Sequence, residues 1–128
     1  MKILLDTHVF IWINSAPERL GNLNAPLKDS DNQLVLSAVS SLEITIKHKL
    51  GKLSLPVTPS AYVPSRMEAN HVEGLPIEHA HALAVERLPL HHRDPFDRLL
   101  VAQCELEDLV LATVDPVFRV YTDRLLAP

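Results

Sequence analysis

Five acidic side chains occupy positions where a carboxylate is of little use for folding but could hold a metal ion. They are Asp6, Glu43, Asp94, Asp97 and Asp115. Asp6 and Asp115 each directly follow an apolar run. Asp94 and Asp97 open a helical segment, and Glu43 lies among the apolar residues of another. Because all five stand near the ends of expected elements, we expect them to share one pocket.

The chemistry of such a pocket follows from electrostatics. Three or four carboxylates within about 4 to 6 Å of one another would raise their pKa values and destabilise the fold unless a cation neutralised them. Oxygen-only ligands favour Mg²⁺ or Mn²⁺ over zinc, and Mg²⁺ typically keeps several waters, which leaves room for a substrate phosphate. Such an ion can activate water for attack on phosphorus, so phosphodiester hydrolysis is the expected reaction.

Strand-like and helix-like segments alternate along the chain. Strands are predicted at residues 2–5, 33–36, 72–75 and 109–113, with a weak final strand that includes Val120 and Tyr121. Helices are predicted at 7–14, 24–30, 60–70, 78–87 and from 94 to about 107, and one more runs from Ser37 or Ser40 to Gly51. Apolar strands separated by helices indicate a parallel sheet that is covered on both faces. In such sheets ligands bind outside the carboxyl ends of the strands, where the acidic residues would meet.

Composition limits the class of protein. With 128 residues, of which 47% are hydrophobic and 22% charged, the chain suits one domain over residues 1–128. No apolar run approaches the roughly 18 residues of a membrane span. The apolar start is interrupted by Asp6 and His8, which argues against a signal peptide. The single cysteine, Cys104, falls in a helical pattern, so we expect it in the core of a cytoplasmic protein.

The formal net charge of −4 bears on nucleic-acid binding. Bulk electrostatic binding depends on Lys and Arg side chains that neutralise phosphates, and this chain lacks the necessary excess. Any contact with nucleic acid is therefore expected to be local.

The acidic residues also have explanations that involve no chemistry. Asp6 or Thr7 could cap the first helix, and Asp115, which precedes a proline, could belong to a turn. Asp94 before a proline, with Asp97 three residues later, resembles a helix start, and for Asp94 we favour that role. The functional hypothesis therefore rests on the joint occurrence of these residues.

Glu43 has its own alternative. Ser40 and Glu43 have the spacing of a capping box, in which the carboxylate would bind only backbone. However, Val39, Ile46 and Leu50 share the face of Glu43 at helical spacing, which favours a carboxylate that points into the domain.

Four segments together resemble a PIN-domain ribonuclease. They are Leu4-Leu5-Asp6-Thr7-His8-Val9, Ser37-Ala38-Val39-Ser40-Ser41-Leu42-Glu43-Ile44, His92-Arg93-Asp94-Pro95-Phe96-Asp97-Arg98-Leu99-Leu100 and Leu111-Ala112-Thr113-Val114-Asp115. More narrowly, the chain resembles a VapC-type toxin of a bacterial or archaeal toxin–antitoxin pair. The resemblance covers essentially the whole chain and implies a three-layer α/β/α sandwich around a mainly parallel sheet.

The resemblance also implies a site, hereafter the acidic quartet, which consists of Asp6, Glu43, Asp97 and Asp115. Asp94 matches an accessory acid. The implied activity is Mg²⁺- or Mn²⁺-dependent endonucleolytic cleavage of RNA. In our hypothesis Asp6, Asp97 and Asp115 hold the metal directly or through water, while Glu43 completes the ligand set or orients the attacking water.

Further residues could support this site. Candidate hydrogen-bonding hydroxyls are Thr7, Ser37 and Thr113. Candidate phosphate contacts are Arg93, Arg98, Lys47, Lys49 and Lys52. Arg98 could instead pair with an acid of the quartet.

Partners follow from the resemblance alone. A small cognate antitoxin is expected to wrap the toxin and push a C-terminal segment into or near the acidic pocket, where a basic side chain would mimic the metal. A homodimer is also expected, with Trp12 as a possible contact, and no membrane association.

Three alternatives stand beside this interpretation. Seven histidines, clustered at 79–81 and 91–92, suggest zinc, but the chain has no His-Glu-x-x-His helix and no cysteine pair. A receiver-like or phosphatase-like phosphotransfer domain also places acids at strand ends, but its early acidic pair and late lysine are missing. A non-catalytic PIN-fold scaffold that acts by binding a partner is the third.

Overall fold

The fold is built on five parallel strands. The computed structural model describes residues 1–89 and 94–127. The strands are β1 (Lys2–Leu5), β2 (Gln33–Ser37), β3 (Val72–Leu75), β4 (Val110–Ala112) and β5 (Leu125–Leu126). Their order in the sheet is β3-β2-β1-β4-β5, and every neighbouring pair is parallel. The expected parallel sheet is therefore confirmed.

Helices connect the strands. They are α1 (Thr7–Ser15), α2 (Asn24–Lys28), α3 (Ala38–Lys49), α4 (Pro59–Ala69), α5 (His79–Ala84) and α6 (Pro95–Glu107). Short 3-10 helices span Pro17–Leu23, Val85–Arg87 and Pro116–Val120. No helix in the described ranges 1–89 and 94–127 is long and apolar enough to cross a bilayer.

The central strand β1 divides the core into two layers. Alternate side chains of a strand point to opposite faces, and all three apolar residues of β1 are fully buried. Ile3 and Leu5 pack with Phe10 of α1 on one face, whereas Leu4 packs with Cys104 of α6 on the other. The sheet is thus covered on both faces, which confirms the three-layer α/β/α architecture and the core position of Cys104.

The strand order reverses beside β1. The chain builds the sheet outwards from β1 through β2 to β3, then returns to place β4 on the opposite side of β1. The backbone N–H of Asp6 donates to the carbonyl of Ala112 at 3.0 Å, which ties together the carboxyl ends of β1 and β4. Such a reversal point is where ligands bind in open parallel sheets.

The predicted final strand is wrong in position. Val120 ends the 3-10 helix Pro116–Val120 and Tyr121 follows it, whereas the strand is Leu125–Leu126. Proline at the first helical position after an aspartate cap favours a helical turn directly after Asp115. The strand therefore forms later, where Leu125 can pair with Leu111 of β4.

Helix α3 buries part of the face that was predicted, namely Val39 and Glu43, but not Ile46 and Leu50. Its buried residues are Val39, Ser40, Glu43 and Ile44. Glu43 points inward as expected, but Ile46 is 39% exposed and Leu50 is 62% exposed. Ile46 lies at the edge of the buried face, and Leu50 lies beyond the last helical residue, so neither residue marks the core.

Candidate metal centre

Asp6 lies at the junction of β1 and α1 with little solvent exposure (6%). Its Oδ1 accepts a hydrogen bond from the backbone N–H of Thr7 at 2.8 Å, which makes it the N-cap of α1. Its Oδ2 accepts from the hydroxyl of Thr113 at 2.8 Å. The capping interpretation is therefore correct, and the same carboxylate also faces the end of β4. Both oxygens are held in fixed positions by neighbouring donors.

Glu43 is brought to Asp6 through Thr7. The carboxylate is 5% exposed, and its Oε1 accepts from Thr7 Oγ1 at 2.9 Å. Its Oε2 forms an ion pair with Lys47 Nζ at 2.5 Å. Thr7 thus contacts one acid through its backbone and another through its hydroxyl.

The capping-box interpretation of Glu43 is wrong. Helix α3 begins at Ala38 with Ser37 as its cap, so Ser40 lies inside the helix. Ser40 Oγ is instead 2.9 Å from Thr7 Oγ1 and is fully buried. Sequence reasoning gave Ser40 no place in the site, although a buried serine one turn before an inward glutamate could have suggested one.

Asp94 and Asp97 stand at the start of α6. Asp94 is half-buried and caps the helix, with Oδ1 accepting from the backbone N–H of Phe96 at 2.8 Å, as favoured from the sequence. Asp97, one turn further, is 9% exposed. Burial raises the pKa of Asp97 from 3.8 to about 7, and the negative charges of the neighbouring carboxylates add to the shift, in the order Asp94, Asp6, Glu43 and Asp115. All five acids therefore share one electrostatic environment.

Asp115 is the exposed member of the quartet. Its Oδ1 accepts from the backbone N–H of Val117 at 3.0 Å and caps the 3-10 helix, so the turn interpretation also holds. Its own backbone N–H donates to Thr113 Oγ1 at 3.0 Å, and that hydroxyl donates to Asp6. Asp115 therefore lies at the rim of the pocket, and the hydroxyl of Thr113 connects its backbone to the Asp6 carboxylate.

The pocket is electrostatically unfavourable without a cation. Burial raises the pKa of Asp6, hydrogen bonds from Thr113 and Thr7 oppose that rise, and the charge of Glu43 adds to it. Repulsion among buried carboxylates of this kind is relieved by a bound cation. Lys47 supplies one positive charge, at Glu43.

The donor set fits a hard divalent ion. Every quartet ligand is a carboxylate oxygen, and hydrogen bonds from Thr7 and Thr113 orient two of the acids. In the described part of the chain no three quartet carboxylates have oxygens within 4.8 Å of one another. Mg²⁺ keeps several of its waters and uses few protein ligands, so an open arrangement of carboxylates suits it.

The family of the chain is shown by comparison with known proteins. The model of the PIN domain family matches residues 3–123. The chain belongs to the PIN-domain family. Ribonuclease VapC16 of Mycobacterium tuberculosis is 38% identical over 66 residues, a match that covers 52% of this PIN-domain chain and 47% of that protein. The match thus spans about half of the length of this curated relative.

Solved structures share the fold. The VapBC2 structure from Rickettsia felis, bound to a DNA fragment from their promoter, matches with a TM-score of 0.68 at 16% identity and covers 100% of this chain and 98% of that one. A toxin–antitoxin complex from Klebsiella pneumoniae matches with a TM-score of 0.65 at 17% identity, covering 97% and 95%. FitAB bound to an IR36 DNA fragment also matches with a TM-score of 0.65 at 17% identity, covering 98% and 94%.

Other predicted residues of this PIN domain lie elsewhere. Ser37 is fully buried, but its Oγ accepts from the backbone N–H of Val39 at 3.0 Å and so caps α3. Arg98 lines a surface cleft with residues of α5, and its buried Nε has no hydrogen-bond partner among the described residues. Within residues 1–89 and 94–127 no hydrogen bond or ion pair joins Arg98 to the quartet. Arg93, His91 and His92 lie outside the described residues.

A second cluster was missed from the sequence. Glu78, His81 and Glu107 offer ligand atoms that all lie within 4.8 Å of one another, so this triad could hold a metal ion. His81 is 1% exposed, and its Nδ1 accepts from the backbone N–H of Glu78 at 3.0 Å. The proton of the neutral ring is therefore on Nε2, which lies 2.8 Å from Glu107 Oε1 and donates to it.

This triad is already satisfied by hydrogen bonds. The side chains of Glu78 and His81 form a capping box at the start of α5, and Glu107 ties α5 to α6. A capping box usually pairs Ser or Thr with Glu or Gln three residues later, so Glu78 and His81 do not carry its usual sequence signature. Glu107 comes from the end of another helix, so no local pattern could have linked it to His81.

Proposed function

We propose that this PIN-domain protein is a metal-dependent endoribonuclease that acts as the toxin of a toxin–antitoxin pair. The observation that carries the proposal is the burial of Asp6, Glu43 and Asp97 at the carboxyl edge of the sheet of a PIN domain, where Thr7 and Thr113 orient two of the carboxylates. The raised pKa of Asp97, caused first by burial and then by the neighbouring carboxylates, agrees with this arrangement. A pocket with this much unneutralised charge is suited to a divalent cation. The 38% identity to a protein named a ribonuclease supports the same activity.

The quartet would hold the ion. Mg²⁺ or Mn²⁺ bound there would supply the Lewis acidity that activates water and stabilises the leaving oxygen of a phosphodiester. Asp6, Asp97 and Asp115 contribute oxygen ligands, directly or through water. Glu43 completes the ligand set or orients the attacking water, and Thr7 fixes the Glu43 carboxylate for that role.

The substrate would be recognised locally. Because the chain carries a formal charge of −4, binding of RNA cannot depend on a general basic surface. Lys47 already reaches the pocket, and Arg93 and Arg98 belong to the segment that opens α6. We assign Lys47 and Arg93 to substrate phosphates at the pocket, and Arg98 to a phosphate further along the substrate, at the surface cleft beside α5.

The proposed partners are an antitoxin and a second copy of the chain. A solved toxin–antitoxin complex contains a chain with this fold, which supports an antitoxin as a partner. In our proposal the antitoxin inserts a basic side chain into the acidic pocket, where it would pair with the carboxylates. Trp12 of α1 is half-buried and is the proposed dimer contact. Action on cellular RNA would place the protein in the cytoplasm.

Mapping of cleavage sites on total cellular RNA tests the proposal. The native chain, D6N and D31N would each be induced, with Asp31 as an exposed aspartate outside the pocket. The native chain and D31N are expected to produce the same discrete new RNA ends, and D6N none. Identical ends with D6N would refute the assignment of Asp6.

Metal titration with an RNA substrate separates this proposal from its non-catalytic alternative. The purified chain is expected to cleave RNA when Mn²⁺ is added and to stop when EDTA is added. Mn²⁺ binding in the pocket without cleavage of any RNA would favour a PIN-fold scaffold that acts through a binding partner.

A further inference from the structure

Lys47 occupies a position inside the acidic pocket that contact with a substrate phosphate alone does not explain. It lies on α3 one turn after Glu43, and its Nζ is 2.5 Å from Glu43 Oε2. The Glu43 side chain is 7% exposed, whereas the Lys47 side chain is 38% exposed. The ammonium group therefore pairs with a buried acid while the rest of the side chain retains access to solvent.

The field of the pocket holds the ammonium group in place. Burial acts to lower the pKa of Lys47, but the hydrogen bond to Glu43 and the charges of Glu43, Asp94 and Asp6 raise it overall. The Lys47 ammonium group is thus attracted to three acids of the pocket, which are Glu43 on α3, Asp94 at the start of α6 and Asp6 at the end of β1. A cation placed in this way neutralises part of the charge that a metal ion would otherwise neutralise.

We propose that Lys47 is a built-in counter-ion of the acidic pocket, which a divalent metal ion must displace from Glu43 when it binds. This inference rests on the proposed function, because it takes the quartet as the metal site. Glu43 Oε1 is engaged by Thr7 and Oε2 by Lys47, so an ion that binds Glu43 competes with the ammonium group for the same carboxylate. Two cations on one carboxylate repel each other strongly in a buried site.

Displacement would leave Lys47 free for a second task. A lysine side chain is a point charge on a flexible four-carbon stem, and its exposed fraction allows it to turn towards solvent. An incoming phosphate at the mouth of the pocket would meet that released charge. Metal loading would thereby convert Lys47 from a counter-ion of Glu43 into a contact for the substrate.

The proposal predicts two effects of opposite sign. Removal of the Lys47 charge leaves Glu43 and its neighbours unneutralised, so the metal-free protein should lose stability. The same change removes the competitor of the metal, so the affinity for metal should increase. A purely structural lysine would lower stability and leave metal affinity unchanged.

Two measurements test these effects. Calorimetric titration of metal-stripped protein with Mn²⁺, without RNA, gives the affinity for metal, and thermal unfolding in EDTA gives the stability of the metal-free protein. The variants are K47M, K47R as a charge-preserving replacement, and K49M as a matched control, since Lys49 is an exposed lysine on the same helix. K47M is expected to bind Mn²⁺ about three- to tenfold more tightly than the native chain and to have a lower Tm in EDTA. K47R and K49M are expected to match the native chain in both measurements.

The outcomes distinguish failure of this inference from failure of the proposed function. Binding is assigned to the acidic pocket by its loss in D97N, because the Glu78, His81 and Glu107 triad would remain intact in that variant. If the native chain binds Mn²⁺ through Asp97 and K47M binds it equally or more weakly, the Lys47 proposal is overturned and the metal site stands. If neither binds Mn²⁺, the metal-dependent function is overturned and the Lys47 proposal with it.

Discussion

At the scale of single residues, two threonines organise the acidic pocket. Thr7 and Thr113 are almost completely buried, and each hydroxyl donates to a carboxylate that is distant in sequence. The sequence analysis gave Thr7, Thr113 and Ser37 as candidate hydrogen-bonding hydroxyls of the site. Thr7 and Thr113 bond to quartet acids, whereas the Ser37 hydroxyl caps α3. Local sequence could not distinguish these uses, because the partner of each hydroxyl is set by the packing of helices against the sheet.

Thr113 is expected to fix the Asp6 carboxylate for metal binding. In T113V, Asp6 Oδ2 loses a buried donor and the N–H of Asp115 loses its acceptor, which should cost about 1–3 kcal/mol of stability. Affinity for Mn²⁺ should fall about 10- to 100-fold, as is typical when a group that orients a metal ligand is removed. Calorimetry and urea unfolding would measure the two losses. T113S keeps the hydroxyl and should retain both properties, and a T113V variant with native Mn²⁺ affinity would contradict this role.

Asp97 should make the stability of the metal-free protein depend on pH. Its pKa is 3.8 when unperturbed and about 7 in the folded chain, so the folded state holds a proton that the unfolded state releases. The stabilisation from this group is complete below about pH 4 and is lost as the pH rises through 7. Relative to D97N, the native chain should therefore lose roughly 2–3 kcal/mol between pH 5 and pH 8 in EDTA.

Urea unfolding at a series of pH values would measure this difference. Addition of Mn²⁺ at pH 8 should restore the stability of the native chain and leave D97N unchanged. If the free energies of unfolding of the native chain and D97N change equally with pH in EDTA, the pKa of Asp97 is not raised in the folded protein.

At the scale of elements, the caps and strand ends determine where each acid lies. Three acids of the pocket, Asp6, Asp94 and Asp115, cap helices. Their position at the start of a helix therefore explains both the cap and the place of each carboxylate in the pocket. Periodicity predicted most helices and strands to within a few residues, because apolar spacing directly reflects burial. It misplaced the last strand, since the position of Leu125–Leu126 depends on pairing with β4 and not on local composition.

Ser37 allows a structural role to be separated from a role in metal binding. Its Oγ caps α3, the helix that carries Glu43, so S37A should lower the free energy of unfolding by about 1 kcal/mol. Because its hydroxyl accepts from the N–H of Val39 and contacts no quartet acid within the described ranges, the affinity for Mn²⁺ should remain native. Thermal unfolding and Mn²⁺ titration, with S41A on the same helix as control, would measure both. A large loss of metal affinity in S37A would restore the supporting role expected from sequence.

At the scale of the whole molecule, the reversal of strand order beside β1 creates the pocket. It places the ends of β1 and β4 side by side, and α3 and α6 bring Glu43 and Asp97 to the same place. The carboxyl-edge rule for parallel sheets was sufficient to expect this convergence from sequence. Other features could not be expected from the sequence, because they depend on side-chain packing between distant segments. They are the exposure of Asp115, the ion pair of Lys47, and the triad of Glu78, His81 and Glu107.

The most direct test is the rate of RNA cleavage by the purified chain as a function of Mn²⁺ concentration, measured for native protein, D97N and D31N. If the quartet forms the metal site, the cleavage rate of the native chain and of D31N should rise with Mn²⁺ concentration and saturate. The rate of D97N should be lower by at least about 100-fold. Equal rates for D97N and the native chain, or cleavage that persists in EDTA, would contradict it.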